Sequence, residues 1–229
     1  MADHVLPGQP PVPLLLRRSS RARRISLRVS QLDGRVTLTV PQGVPDREAL
    51  AFADTKADWI RRHLSERRED VPVAIGADLP VEGEIRRIVP GPGRAVDLRP
   101  YEIAMPARGR TGPKLKAFLR ELARARLVAA SDHYAGQLGR AYSRITLRDT
   151  RSRWGSCSSR GGLMYSWRLV LAPPEILHYV AAHEVAHLAE MNHSPKFWRT
   201  VETLYGDHRR ERKWLRENGH DLHRYRFDD

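Results

Sequence analysis

The chain has 229 residues, enough for one large domain or two small ones with a real core. Forty Lys and Arg against 27 Asp and Glu give a net charge of +13, and most of the excess is arginine. A single cysteine excludes an internal disulfide and suits a reducing compartment, and no stretch reads as a signal-peptide core or a membrane span, so the expected location is the cytoplasm.

Residues 1–16 are Pro-rich, with Leu14, Leu15 and Leu16 as the one apolar run, and read as a flexible lead. Ile25, Leu27 and Val29, then Val36, Leu38 and Val40, alternate on either side of Asp33-Gly34, which predicts a hairpin. From about Asp46, the residues Leu50, Ala53, Ala57, Ile60 and Leu64 recur at three- and four-residue steps and predict one helix. Residues 76–105 read as several short strands punctuated by Pro90-Gly91-Pro92-Gly93. The best hinge is 108–112, so 17–110 reads as a strand-rich region with one helix. Pro113 then opens a long helix with Leu115, Phe118, Leu119, Leu122 and Leu127 on its apolar side. Strands are expected near 143–148 and 162–170, and a last helix from Asp207 to Gly219. Cys157, in a Gly- and Ser-rich segment, reads as a buried structural thiol, and Trp154 and Trp167 as core. Mixed strands and helices in this order give an α+β class.

The chemistry lies in His183-Glu184-Val185-Ala186-His187. Residues four apart share one helical face, so two imidazoles can hold one metal ion. Glu184 sits one step round, able to polarise a water without taking a coordination position. This is the HExxH pattern of zinc hydrolases. Pro173-Pro174 suits a helix start and Glu175 complements the helix dipole. Six residues separate His187 from His193, which does not fit one face of an unbroken helix. A turn is therefore expected near Met191-Asn192, Asn being suited to a left-handed helix end. Ser194-Pro195 reads as the N-cap and first position of a new helix that Gly206 stops. His193 can fold back from that turn as a third ligand, which leaves the fourth position for water and predicts one Zn²⁺ per chain. A downstream carboxylate is the alternative third ligand: Glu202, with Asp207 and Glu211 behind it. The metzincin pattern has the same span, but Glu190 stands in its glycine slot and no methionine follows the motif.

The run from His183 to Trp198, His-Glu-Val-Ala-His-Leu-Ala-Glu-Met-Asn-His-Ser-Pro-Lys-Phe-Trp, resembles the signature of the YgjP-like metallopeptidase family. Arg153-Trp154-Gly155-Ser156-Cys157-Ser158, Trp167-Arg168-Leu169, the segment 23–29 and Lys56-Ala57-Asp58-Trp59-Ile60 resemble its other marked segments, so the likeness spans about 17–223. Ser166 stands where Asn is expected, and Val185-Ala186 replace a bulkier pair. The resemblance implies a zincin-like catalytic domain over 113–229, related to the WLM and SprT-type proteases. It also implies His183, His187 and His193 as zinc ligands, Glu184 as catalytic base, and a peptide or protein substrate.

Zincins lay an edge strand beside the metal helix, where an extended peptide can pair; 162–169 and 154–158 are the candidates. Arg153, Tyr165, Arg168, Tyr205 and His208 are candidate donors to a tetrahedral oxyanion. His178 lies off the ligand face, and His220 and His223 read as part of a polar tail. Arg17, Arg18, Arg21, Arg23 and Arg24 form one basic cluster, and Arg209, Arg210, Arg212, Lys213 and Arg216 another. Such clusters attract phosphate polyanions. They keep two other readings open: a metal-dependent nucleotide phosphohydrolase, and a DNA-associated protease or nucleic-acid-binding protein. No base-reading motif accompanies them.

Overall fold

Val12, Leu14 and Leu16 are buried while Pro13 and Arg17 are exposed, the two-residue period of a half-buried strand. The computed structural model describes residues 3–228 and divides the chain into two compact units, Met1–Glu69 and Asp70–Asp229. The first unit contains β1 (Asp3–Leu6), β2 (Val12–Ser19), β3 (Ser26–Val29) and β4 (Val36–Pro41), in the spatial order β1-β2-β4-β3. Most of the expected flexible lead is therefore strand. Alternation of apolar residues outweighs the proline content, because Pro7, Pro10 and Pro11 fall in the connection between β1 and β2, where no ladder bond is lost. The hairpin of β3 and β4 forms as expected, with Val29 opposite Val36 and Gly34 at a φ of 69° in the turn.

The single helix expected from Asp46 is broken into α1 (Asp46–Thr55) and α2 (Ala57–Ser65). Thr55 turns its hydroxyl back to the carbonyl of Phe52 at 2.8 Å, and Lys56 leaves helical geometry at φ −108°, ψ 8°. Ala49, Ala53 and Ile60 still pack on Leu6, Leu38 and Val40, so the apolar stripe survives the break.

In the second unit, β5 (Val71–Pro72) is followed by β6 (Asp78–Val81), β7 (Glu84–Gly91), β8 (Asp97–Leu98) and β9 (Glu102–Pro106). The last four form a sheet ordered β6-β7-β9-β8. The long helix α3 (Thr111–Leu138) leads to β10 (Arg144–Arg148), β11 (Gly155–Cys157) and β12 (Gly162–Ser166). Next come α4 (Pro174–Ala186), α5 (Pro195–Tyr205), α6 (Arg209–Asn218) and β13 (Tyr225–Arg226), which pairs with β5. Six α-helices among the described residues and several sheets of mixed direction make the fold α+β.

Leu79, Val81, Ile88, Ile103 and Met105 share one hydrophobic core with Leu119 of α3 and Val180 of α4. The strands of 78–106, grouped by sequence with the N-terminal region, thus pack with the helix that carries the histidines. Of the Gly-rich signal at 108–112, residues 108–110 form the loop into α3, with Gly109 at φ 92°, while Thr111 and Gly112 already belong to the helix, which starts two residues before the expected Pro113. The strand expected over 162–170 stops at Ser166, and Trp167–Leu171 wind into a 3₁₀ turn. All five of its side chains are buried, which alternation along one strand face would not achieve. Within it, Arg168 donates to both carboxylate oxygens of Asp149 at 2.6 and 3.2 Å and to the carbonyls of Leu222 and Tyr225 at 2.8 and 3.1 Å. One buried guanidinium so ties the C-terminal segment to the rest of the unit.

Candidate metal centre

α4 starts as its sequence demands: Pro173 is extended, Pro174 takes the first helical position, and Glu175 lies in the first turn. Ile176, Leu177, Val180, Ala181, Ala182, Val185 and Ala186 are all buried, so the helix runs through the core and is fixed from several sides. It ends at His187, and the chain turns before Ser194. Asn192 does not adopt the expected left-handed conformation; among the described residues Glu82 is the only non-glycine with positive φ. Asn192 instead makes the turn with its side chain, Oδ1 accepting from the N–H of Ser194 at 3.2 Å. Ser194 caps α5 by accepting from the N–H of Phe197, and Pro195 follows at the first position.

The turn brings His193 back to the helix. One ring nitrogen from each of His183, His187 and His193 lies within 4.8 Å of the others, and Nε2 of His183 and His193 are 3.1 Å apart. This is the metal-sized group that the described residues assemble. Glu202 and Asp207 line a different cavity, with Trp198, His208 and Arg212, and Asp207 is paired with Arg209 at 2.7 Å. The fold therefore brings the third histidine, and neither of these two carboxylates, to the HExxH pair.

Two aromatic residues hold the rings, and the sequence reading gave neither that part. Phe197 is buried with its centroid 4.9, 4.4 and 4.8 Å from those of His183, His187 and His193. Trp198 stacks on His193 at 5.6 Å on one side and on His208 at 5.5 Å, and His208 stacks in turn on Tyr179. The only available signal was their place right after the capped helix start. Nδ1 of His187 faces the carbonyl of Glu190 at 3.0 Å, which leaves Nε2 for the cluster. Burial, with the neighbouring His187 and His193, pushes His183 down to about 3. Burial also lowers His187, against the pull of the Glu190 carbonyl. Both rings are thus kept neutral, the form a metal binds.

Glu184 is buried on the adjoining face, and burial pushes its carboxyl up to about 8 against the charge of Arg153. It meets β11 at Gly155: a Cβ built there would lie 2.5 Å from Cγ and Oε1 of Glu184. Only a glycine allows so close an approach of strand and helix. A cleft of about 460 Å³ opens over the site, lined by Arg153, Gly155, Ser156, Cys157 and Met191 with Glu184 and the three histidines. β12 is paired on both sides, so of the two candidate strands only β11 has an edge to offer, and it lines the cleft.

Of the five candidate oxyanion donors, Arg153 alone lines this cleft. Tyr165 is fully buried on Ser131 at 3.0 Å, and Arg168 is consumed by its four bonds. Tyr205 donates to the carbonyl of Glu175, and His208 sits in the aromatic stack. Cys157 is half-buried, packed against the core and lining the cleft wall; burial, and after it Glu184, pushes its thiol up to about 11, which disfavours the thiolate. Trp167 is in the core as expected, and Trp154 is partly buried against it. His178 approaches Tyr134 at 3.4 Å, away from the cluster. His220 pairs with Asp221, but His223 is not a polar-tail residue: it is buried, its ring tilted against that of Trp154 with centroids 5.4 Å apart. Several arginines of the basic clusters have internal tasks. Arg18 binds the carbonyls of Gln42 and Val44 and the carboxylate of Asp46, and Arg212 lies 4.5 Å above the Trp198 ring.

The family model described as YgjP-like, metallopeptidase domain, matches residues 23–218. The crystal structure of the metallopeptidase zymogen of Pyrococcus abyssi abylysin aligns with 41% of this chain and 92% of its own, at 23% identity and a TM-score of 0.36. No curated protein matches. Among the described residues no helix is long and apolar enough to cross a membrane.

Proposed function

Because the chain belongs to the YgjP-like metallopeptidase family, we propose that it is a zinc-dependent peptidase with His183, His187 and His193 as ligands and Glu184 as base. The observation that carries the reading is the convergence of three imidazole nitrogens within 4.8 Å beside a buried carboxylate in one cleft. The donor set fits the ion. Tetrahedral zinc with bonds near 2.0 Å separates its ligand nitrogens by about 3.3 Å. The two Nε2 atoms at 3.1 Å are close to that spacing, and one shared cation satisfies both lone pairs. Zinc, when bound, supplies a Lewis acid for a scissile carbonyl and lowers the pKa of a water.

The chain's own residues do the rest. Glu184, in the ionised form that a cation bound beside it would favour, takes the proton of the attacking water and hands it to the leaving amine. Gly155 keeps that carboxylate pressed against the cleft floor, and Arg153 is the donor available to a developing oxyanion. The free edge of β11 is where an extended peptide adds by backbone pairing. The expected content is one zinc per chain.

Metal analysis of purified His187→Ala should show that most of the zinc is lost. Glu184→Gln should keep its zinc while turnover of casein falls by about 10² or more. Equal metal in wild type and His187→Ala would overturn the ligand set. Hydrolysis of nucleoside triphosphates with casein untouched would replace the peptidase by a phosphohydrolase on the same centre.

A further inference from the structure

Beyond Cys157 the chain leaves β11 through a turn at 158–161, and there a second cavity of about 380 Å³ opens. It shares His187 and Met191 with the metal cleft, so the two are adjoining compartments of one groove. Its charged lining consists of Arg140 and Arg160, Ser158 and Ser159 of the turn also line it, and no carboxylate does. Arg140 follows Gly139, whose left-handed geometry ends α3, and donates from Nη1 to the carbonyl of Leu188 at 3.0 Å. Leu188 is the residue after His187, so this guanidinium is fixed relative to the metal cluster. Neither Arg140 nor Arg160 has a carboxylate partner among the described residues, and of the arginines without one these two line this cavity.

We propose that this second cavity is a substrate subsite for a carboxylate, held by Arg140 and Arg160 while the scissile bond lies at the histidine cluster. The inference rests on the peptidase reading and narrows it to peptides with an acidic group beside the cleaved bond. A strand laid along the free edge of β11 and continued past Cys157 arrives at this compartment. Neighbouring residues on an extended peptide are spaced by about 3.3 Å, so the group is within a few residues of the scissile bond. A guanidinium fork matches a carboxylate, and two cations without carboxylate partners lining one cavity focus the potential there. Met191, 54% exposed at the rim common to both compartments, offers apolar contact for the stem that carries the carboxylate. The carboxylate belongs either to an internal Asp or Glu or to the peptide's own C-terminus.

The test uses the zinc-loaded full chain and a mixed peptide library in two forms, with free and with amidated C-termini, the new ends being read by mass spectrometry. Asp or Glu enriched at one fixed position beside the cut in both forms supports the subsite with a side-chain carboxylate. Cleavage at a fixed distance from the end, in the free form only, supports it with a terminal carboxylate. In Arg160→Glu, an exposed turn substitution, the ratio of acidic to basic residues at that position should fall by about 10-fold or more. Cleavage without any acidic preference, or a preference unchanged in Arg160→Glu, would overturn the subsite and leave the peptidase intact. No cleavage by zinc-loaded protein would overturn the peptidase reading and the subsite together.

Discussion

The sheets β1-β2-β4-β3 and β6-β7-β9-β8 share one topology, each reading antiparallel, parallel, antiparallel across its strands. Each contributes alternating apolar residues to its unit's core. The chemistry of the two units nonetheless differs completely. All the buried polar and charged side chains among the described residues, namely Ser131, Ser166, Arg168, Glu184, His187, His208 and His223, belong to the second unit. Burying such a group unpaired costs about 1 to 3 kcal/mol, so their concentration marks where the fold bears a cost that a scaffold alone would avoid. Two of them carry opposite lessons. Arg168 makes four hydrogen bonds to protein acceptors, whereas Glu184 makes none among the described residues. One group is spent on the fold, and the other faces the cleft without a hydrogen-bond partner among the described residues.

The sharpest way to break that contrast is to replace each side chain. Arg168→Ala leaves two carbonyls and Asp149 without their donor and should cost about 3 to 5 kcal/mol in urea unfolding of the metal-free protein. Glu184→Gln in the same assay should cost little or nothing: burial pushes the carboxyl up to about 8, so near neutral pH the metal-free protein holds it mostly protonated, and the amide replaces a neutral group that has no hydrogen-bonded partner among the described residues. Equal losses from the two substitutions would mean that Glu184 is structural too.

Next in size is acid sensitivity. Burial, and after it the charge of Arg168, pushes His223 down to about 4 from an ordinary value of 6.5. The folded state therefore prefers the neutral ring, and the unfolded chain takes up the proton first. Stability is fully present above about 6.5 and is lost as pH falls towards about 4, by roughly 3 kcal/mol. Asp149 resists burial and is held below its ordinary range by Arg168, so it adds a further loss at still lower pH. His223→Phe should flatten the fall of the urea midpoint between pH 7 and 4. An unchanged slope would place the acid sensitivity elsewhere in the chain.

Gly155→Ala sharpens the reading of the cleft. The new methyl would lie 2.5 Å from the Glu184 side chain, and α4 is packed too tightly to retreat. A displacement of about 1 Å at a catalytic group can lower turnover by about 10². Zinc content should stay at the wild-type level, because the ligands do not touch this position. Turnover of casein and metal content measured on the same preparation would check it, and full activity would show that the base needs no fixed place.

Much of this was legible in sequence because it follows local rules. HExxH obeys the helical repeat, Asp33-Gly34 obeys hairpin geometry, and Ser194-Pro195 obeys helix capping. What was missed depends on pairs far apart in the chain. Nothing near Gly155 announces Glu184, 29 positions on; the only signal was a glycine inside a strand, which means close backbone approach of something unnamed. His223 looked like a tail residue because Trp154, whose ring it packs against, lies far upstream. Residues 12–16 looked flexible because they adjoin Pro7, Pro10 and Pro11 and contain Pro13, a local signal that masks the two-residue alternation of Val12, Leu14 and Leu16.

The smallest expected effect concerns Ser166, at the end of β12, where the family resemblance calls for Asn. Its residue is fully buried and its N–H donates to the carbonyl of Trp154 at 2.8 Å, but its hydroxyl has no partner among the described residues. A buried hydroxyl without a partner contributes desolvation cost and no compensating bond. Ser166→Ala keeps the backbone bond, removes the orphaned oxygen and leaves only a small void. Its urea midpoint should therefore match wild type within about 1 kcal/mol, or rise slightly. A loss larger than that would mean the hydroxyl is satisfied by ordered water, so that the position still serves the hydrogen-bonding task an Asn would have there.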